Sequence, residues 1–365
     1  MKVLLSGGGT MGSVSPLVAI YEELKTRDQN LEVLWLGTKD GPEKEFIANY
    51  QIPFKAIKGG KVRRYFSFWN ILTPLEVLIG FFQAKKALKK FKPDVVLTAG
   101  SFVAVPVAYA ARLLKIPVFI HQQDLEIGRA NKLMARVATV ITVSFKELLT
   151  FFEVKKAYHI DNPVRQEILN GSKERAIQFF KFDPAKKTIL ILGGGTGAQI
   201  INEAVLETLG KLAADYQLIH LCGQNKKISS QLPDYYDRQT LKIIENNYRE
   251  YEFLNKEIAD AYALADLAVS RAGFSVLTEL AVLGKPALVI PIPGHQEINA
   301  QFFAKFNAIK ILKQENLTKD SFLQAISNLM SNPAELLTLS RNISQIIDKE
   351  AVKKYVDLIY EIIGK

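Results

Sequence analysis

Residues 2–16 read KVLLSGGGTMGSVSP, and residues 186–205 read KKTILILGGGTGAQIINEAV. Each is a short apolar run, a glycine-rich turn and the start of an amphipathic stretch. Gly7-Gly8-Gly9-Thr10-Met11-Gly12 fits G-x-G-x-x-G, and Gly193-Gly194-Gly195-Thr196-Gly197-Ala198 fits the G-x-G-x-x-A variant. One such turn is a weak signal, because glycine joins many strands to helices. Two of them, each opening its own alternation of strand-like and helix-like segments, predict two Rossmann-like α/β domains. Sheets of that kind bind ligands beyond the carboxyl ends of their strands, which here would line a shared cleft.

The alternation supports this reading. KVLLSG is followed by PLVAIYEELKTR, LEVLWLG, a basic helix, PDVVLTAG, VPVAYAARLLK, IPVFIHQ and ATVITVS. DNPVRQEIL then interrupts, with Asn162-Pro163 marking a turn. The second series continues through YQLIHLCG, DLAVSRAG and KPALVIPIPG and ends in helical segments. A chain of 365 residues is long enough for two such cores. It opens Met-Lys and enters a strand at once, without the pattern of a signal peptide. Its single cysteine, Cys222, fits a reducing, cytoplasmic setting.

The net charge of +10 calls for a partner. Between residues 61 and 92 stand Lys61, Arg63, Arg64, Lys85, Lys86, Lys89, Lys90 and Lys92 against one acid, Glu76. Tyr65, Phe66, Phe68, Trp69, Phe81, Phe82 and Phe91 are interleaved with them, and ILTPLEVLIGFF lies between the two basic clusters. That segment is too short and too interrupted to span a bilayer. Two readings stand: a surface that dips into an anionic headgroup layer, or a buried helix followed by a solvated basic one. Nucleic acid would account for the charge, but not for two glycine turns and a polar sugar-like edge.

A nicotinamide enzyme needs an acid at the end of the second strand for the ribose hydroxyls. The first series ends that strand WLGTKD, with Asp40 late, and the second ends HLCGQN with no acid. Hydride transfer is therefore disfavoured. With no D-x-D pair and four scattered histidines, a built-in divalent metal site is not expected. Glu279 in SRAGFSVLTEL could take ribose hydroxyls or simply favour a helix start. His295, Gln296 and Asn299 in PIPGHQEINAQ offer neutral donors and acceptors suited to a sugar, or an ordinary polar helix start.

Taken together, GGGTMGSVSP, HQQD, ANKLMARVA, NPVR, GGGTGA, SRAG…TEL and HQEINA occur in the order and spacing of one family. Over essentially its whole length the chain resembles the MurG family, the undecaprenyldiphospho-muramoylpentapeptide β-N-acetylglucosaminyltransferases of peptidoglycan synthesis. The resemblance implies a GT-B fold with an acceptor- and membrane-associating domain over 1–161 and a UDP-sugar-binding domain over 162–340. Residues 341–365 would form a C-terminal helix packing back on the first domain. It implies UDP-N-acetylglucosamine and a polyprenyl-diphosphate-linked muramoyl-peptide as substrates, no cofactor and no metal. It further implies a peripheral position on the cytoplasmic face of the cell membrane, against an anionic inner-membrane surface, with no nucleic acid.

Residue roles follow from the same resemblance. Thr10, Met11 and Gly12 match the acceptor-side glycine loop that also approaches the donor sugar, and Asp124 stands where the family usually has an Asn contacting the sugar. Arg165 matches an arginine near the diphosphate. Gly195 replaces the usual Ser of the second loop, with Thr196 beside it. Leu254 matches a position bracketing uracil, and Phe274, Ser275, Val276, Leu277, Thr278 and Glu279 match the phosphate and ribose segment. His295 and Gln296 match the sugar-binding helix start, with Gln296 on a sugar hydroxyl. The family's loop histidine, a favoured base, is Ser13 here, and an unaided serine hydroxyl is too weakly basic for that task. Asp124 is the first alternative base, with His121 or Glu126 behind it, or a water relayed through Ser13. Other readings are catalysis carried by leaving-group stabilisation, a different lipid acceptor, and a UDP-sugar binder with little or no turnover.

Overall fold

VVLT at 95–98 and TILIL at 188–192 are buried at every position, the pattern of strands covered on both faces. A computed structural model describes residues 1–59, 69–193, 198–233 and 236–364, with only the backbone path for 69–74. It divides the chain into two units, Met1–Arg165 with Lys349–Lys365, and Gln166–Asp348.

The first unit runs β1 (Lys2–Ser6), α1 (Ser15–Arg27), β2 (Glu32–Gly37), α2 (Glu43–Ala48), β3 (Phe54–Ala56) and α3 (Trp69–Phe91). It continues β4 (Val95–Thr98), α4 (Ala104–Leu113), β5 (Val118–Gln122), α5 (Arg129–Met134), β6 (Val140–Val143) and β7 (Ala157–His159). The seven strands form one sheet in the order β3-β2-β1-β4-β5-β6-β7, every pair parallel. The order reverses between β1 and β4, so the crevice where such sheets bind ligands opens beyond Ser6 and Thr98.

The second unit runs α6 (Gln166–Leu169), α7 (Lys173–Phe180), β8 (Thr188–Leu192), α8 (Gln199–Asp215), β9 (Gln217–Leu221), α9 (Arg238–Asn247) and β10 (Tyr248–Tyr251). There follow α10 (Glu257–Leu264), β11 (Leu267–Ser270), α11 (Phe274–Leu283), β12 (Ala287–Val289), α12 (His295–Lys305) and β13 (Lys310–Ile311). Helices α13 (Lys319–Met330) and α14 (Pro333–Ile343) close it. Its six parallel strands are ordered β10-β9-β8-β11-β12-β13, reversing between β8 and β11. Each sheet thus repeats one plan, and each has its own core, around Leu5, Leu17 and Leu97 in the first and Ile191, Val205 and Val269 in the second.

The last helix, α15 (Ala351–Ile363), belongs to the first unit. Ala351, Tyr355, Val356 and Ile359 recur at helical spacing and are buried in the first core, with the Tyr355 ring against Phe119 and His121. Arg27 of α1 pairs with Asp357 on its rim.

The unit edges differ from 161/162 and 340/341, for physical reasons. Asn162 Oδ1 lies 3.1 Å from His121 Nε2, and the Arg165 guanidinium lies over the Phe46 ring at 5.3 Å. Both hold residues 162–165 to the first unit. At the other end α14 is tied to the second: Ser340 donates to the Gly284 carbonyl at 2.6 Å, Asn342 to that of Asn307 at 3.0 Å, and Leu339 and Ile343 are fully buried.

Candidate active site

In the first unit the expected residues sit beyond the carboxyl ends of β1 and β5. After Ser6 the chain passes through Gly7–Gly9 and a short 3-10 turn, Met11–Ser13, into α1. Thr10 is exposed, Met11 and Gly12 are half-buried, and Ser13 is buried. The Ser13 hydroxyl lies 3.2 Å from the Gly8 amide, which donates to it, and within 3.4 Å of the Gly8 and Thr10 carbonyls. Serine here fastens the loop to itself. The Trp35 indole donates to the Gly7 carbonyl at 3.0 Å from beneath.

The loop after β5 carries Asp124, which is half-buried, and Glu126, which is exposed. Buried Gln122 builds this loop by donating to the backbone carbonyls of Asp124 at 2.7 Å and Glu126 at 3.1 Å. Asn131 of α5 holds the other end of that amide at 2.6 Å. His121 faces the other way: it is fully buried, with Nδ1 2.8 Å from Thr142 Oγ1 and Nε2 3.1 Å from Asn162 Oδ1. Burial pushes its imidazole down to about 4. With both ring nitrogens engaged inside the protein, His121 is a structural residue rather than a reserve base. Arg165 is nearly buried, its charge laid on Phe46.

In the second unit the expected residues gather at the carboxyl edge around β11 and β12. Gly273 caps α11, so the helix begins at Phe274 with its N-terminal end at that edge. Ser275 and Val276 are half-buried, Leu277 and Thr278 are fully buried, and Thr278 bonds back to the Phe274 carbonyl at 2.7 Å. Glu279 lies in the second turn, nearly buried, and Tyr262 of α10 donates to its Oε2 at 2.8 Å.

Gly294 adopts φ +97°, a conformation glycine takes without strain, and starts α12. His295 is half-buried and its Nδ1 is shielded from solvent with no partner among the described residues. Gln296 accepts the Ile292 amide at 3.1 Å, and Asn299 donates to the Ala272 carbonyl at 3.4 Å. That bond and the Phe274–Phe303 ring contact pack α12 against the start of α11. Leu254, after β10, is buried. Gly195 and Thr196 lie outside the described residues, as do Lys61, Arg63, Arg64, Tyr65, Phe66 and Phe68 of the basic–aromatic segment. No group of three or more His, Cys, Asp or Glu residues able to hold a metal ion occurs among the described residues.

Three residues that shape these edges escape a linear reading: Glu43, Gln122 and Tyr262. Glu43 is wholly buried and bonds the Gly9 amide at 3.0 Å. The one sequence sign of its placement is that glycines stand at 8, 37 and 41, all of which pack against it.

Two parallel-sheet units of this plan, with polar loops and helix starts at their carboxyl edges, place the protein in the GT-B class of glycosyltransferases. Residues 3–143 match the N-terminal domain of glycosyltransferase family 28, and residues 188–357 match its C-terminal domain. A UDP-N-acetylglucosamine--N-acetylmuramyl-(pentapeptide) pyrophosphoryl-undecaprenol N-acetylglucosamine transferase of Clostridium botulinum is 38% identical over 100% of this chain and 98% of its own. Its counterpart in Clostridium perfringens is 37% identical over 98% and 97%. The crystal structure of MurG from Acinetobacter baumannii superposes with a TM-score of 0.71 at 29% identity, covering 99% of both chains. The chain belongs to the MurG family of glycosyltransferase family 28.

Proposed function

We propose that this protein transfers N-acetylglucosamine from UDP-N-acetylglucosamine to the 4-hydroxyl of a polyprenyl-diphosphate-linked muramoyl-pentapeptide, the step from lipid I to lipid II in peptidoglycan synthesis. The observation that carries the reading is full-length identity of 38% to a transferase of that name. The second unit would hold the donor: Glu279 on the ribose hydroxyls, the backbone beside Leu254 on uracil, and His295 and Gln296 on the sugar. The N-terminal end of α11, at Phe274–Val276, would face the diphosphate with its positive helix-dipole end, together with Gly195 and Thr196 of the second glycine turn. Their fixed dipoles would stabilise the charge that develops as the bond from the anomeric carbon to the diphosphate oxygen breaks. Arg165 would add a positive charge for the diphosphate.

On the first unit, Thr10, Met11 and Gly12 would meet the acceptor sugar. The acceptor 4-oxygen attacks the anomeric carbon from the face opposite UDP, so the configuration inverts, and its proton passes to the Asp124 carboxylate. Asp124 suits the task because the Gln122 amide holds the backbone carbonyls of its loop while leaving it half-open. The acceptor's lipid would remain in the membrane beneath α3, at the cytoplasmic face. Leu75, Leu78 and Phe82 of α3 are exposed, an open groove of about 420 Å³ runs between Leu78 and Leu133, and Lys86, Lys89 and Lys90 follow on the same helix.

Turnover of UDP-N-acetylglucosamine with the lipid-linked muramoyl-pentapeptide tests the reading. Asp124→Ala is expected to lower kcat by about 10²- to 10⁴-fold with UDP binding intact. Full activity in that variant removes Asp124 as the base. Wild-type protein that binds UDP-N-acetylglucosamine without transferring it has a different acceptor or none, and no nucleotide binding rejects the transferase altogether.

A further inference from the structure

The amides of Gly8 and Gly9 end inside the protein. Gly8 donates to Ser13 Oγ at 3.2 Å, and Gly9 donates to Glu43 Oε2 at 3.0 Å. Glu43 is wholly buried, and its Oε1 takes the Thr38 amide at 2.7 Å and the Thr38 hydroxyl. Three donors converging on two oxygens is the bonding of a carboxylate. No ion pair reaches it among the described residues. The carboxylate fits only because its neighbours lack side chains: a Cβ on Gly8 would lie 2.1 Å from Oε1, and one on Gly41 2.0 Å from Oε2.

A glycine turn leading from a first strand into a helix ordinarily presents its N–H groups, and the positive end of the helix, to an anion. Here a side chain of the protein already occupies that role from below. A phosphate approaching Gly8 and Gly9 finds their amides engaged and a like charge directly behind them. A neutral hydroxyl suffers no such repulsion and can use the exposed Thr10 beside them.

We infer that Glu43 sets the ligand chemistry of the first glycine loop: its buried carboxylate closes the Gly8–Gly9 turn to phosphate groups and leaves the loop as a surface for uncharged sugar hydroxyls. Glu43 acts through the loop and touches no substrate, so it is a positioning residue that sets specificity by charge. The choice of the muramoyl sugar, rather than its diphosphate, as the group at this loop rests on the proposed transfer. The exclusion of phosphate does not.

The test uses the full-length protein saturated with UDP, so that the donor site is filled, and titrates it with inorganic pyrophosphate by calorimetry. Trp35, whose indole bonds the Gly7 carbonyl, gives a local fluorescence signal for the loop. Wild type is expected to take up no pyrophosphate with a change in Trp35 emission. Glu43→Gln, of the same size without the charge, is expected to bind about one equivalent at least tenfold more tightly. Its pyrophosphate inhibition then becomes competitive with the lipid acceptor rather than with UDP-N-acetylglucosamine.

Thr38→Val loosens the same cluster but keeps the charge, so it should behave as wild type. A Glu43→Gln protein that melts normally and gains no pyrophosphate overturns the inference. So does a Thr38→Val protein that gains as much, because loosening would then be the cause. If Glu43→Gln does not fold, the wild type decides: pyrophosphate uptake with a Trp35 response overturns the inference, and no such uptake supports it. Absence of transfer to the lipid acceptor would count against the proposed reaction alone, since the calorimetric result stands without turnover.

Discussion

The Glu279 carboxylate has one oxygen held by Tyr262 at 2.8 Å, and Leu277, Thr278 and Leu280 around it are fully buried. A carboxylate fixed in this way has little freedom to follow a ligand, so it discriminates by fit. Hydrogen bonds to charged groups contribute about 1.5–3 kcal/mol, so Glu279→Gln should weaken UDP binding by about 10- to 100-fold. Tyr262→Phe keeps the charge and loses only its orientation; a loss of about three- to tenfold is expected. The specific readout is calorimetry with UDP and 2′-deoxy-UDP. Wild type should prefer UDP, and Glu279→Gln should bind the two alike; an unchanged preference removes Glu279 from the ribose site. Ser13 makes the complementary point in the first unit. Its hydroxyl bonds the Gly8 amide and the nearby carbonyls, so Ser13 fastens the loop to itself.

Among the elements, β5 and α15 meet through His121, whose ring lies 5.8 Å from that of Tyr355 and whose imidazole burial holds down to about 4. His220 in the second unit is held down to about 4 for the same reason, with Nδ1 2.8 Å from Tyr248 Oη. A histidine whose folded pKa lies below its unfolded value of about 6.5 binds its proton preferentially when unfolded. Its contribution is therefore complete above about pH 6.5 and is lost as pH falls toward 4, up to about 3 kcal/mol for each ring. The two tryptophans, Trp35 and Trp69, both belong to the first unit, so tryptophan emission during urea unfolding reports that unit. His121→Gln should flatten the acid limb of the midpoint between pH 7 and about 4.5, and His220→Gln should leave it unchanged. An acid limb that His121→Gln leaves as steep as wild type would refute the assignment.

The same elements mark where linear reading succeeds. Apolar runs ending in glycine turns gave both sheets, because a strand buried on two faces has no polar alternation to confuse it. The role of α14 was not legible, since an amphipathic helix does not say which core its apolar face will meet; Ser340 and Gly284, 56 positions apart, decide it. Glu43 was invisible for the same kind of reason. GPEKEF reads as a solvated acidic helix start, and only the convergence of residues 8, 37 and 41 buries its carboxylate. Glu279 and the α12 start stood out because their polar residues interrupt apolar segments at strand ends, while Tyr262 lies within an apolar helix that reads as core.

Considered as one molecule, the chain carries an uneven charge, +10 in total, with Lys85, Lys86, Lys89, Lys90 and Lys92 concentrated at the end of α3. No helix among the described residues is long and apolar enough to cross a membrane. Leu75, Leu78 and Phe82 recur at helical spacing on the exposed side of α3, while Gly80, Ala84, Ala87 and Leu88 turn inward. Apolar side chains followed by lysines on one helix suit insertion to the depth of headgroups, with the charges left among anionic phosphates. Each lysine near such a surface contributes about 1 kcal/mol, so replacing Lys85, Lys86, Lys89 and Lys90 by Gln should weaken binding to vesicles rich in anionic lipid by between about tenfold and a thousandfold. Raising the salt should shrink that difference, because it is screened over a Debye length of about 10 Å at 0.1 M. Phe82→Asp should weaken binding at every salt concentration, since it removes the inserted group. Both variants should keep wild-type affinity for UDP, since neither substitution touches the residues proposed to hold it, but lose transfer to acceptor presented in vesicles more than to a soluble short-chain analogue. Equal loss with both acceptors would place the defect in the catalytic site and reject α3 as the membrane-facing element.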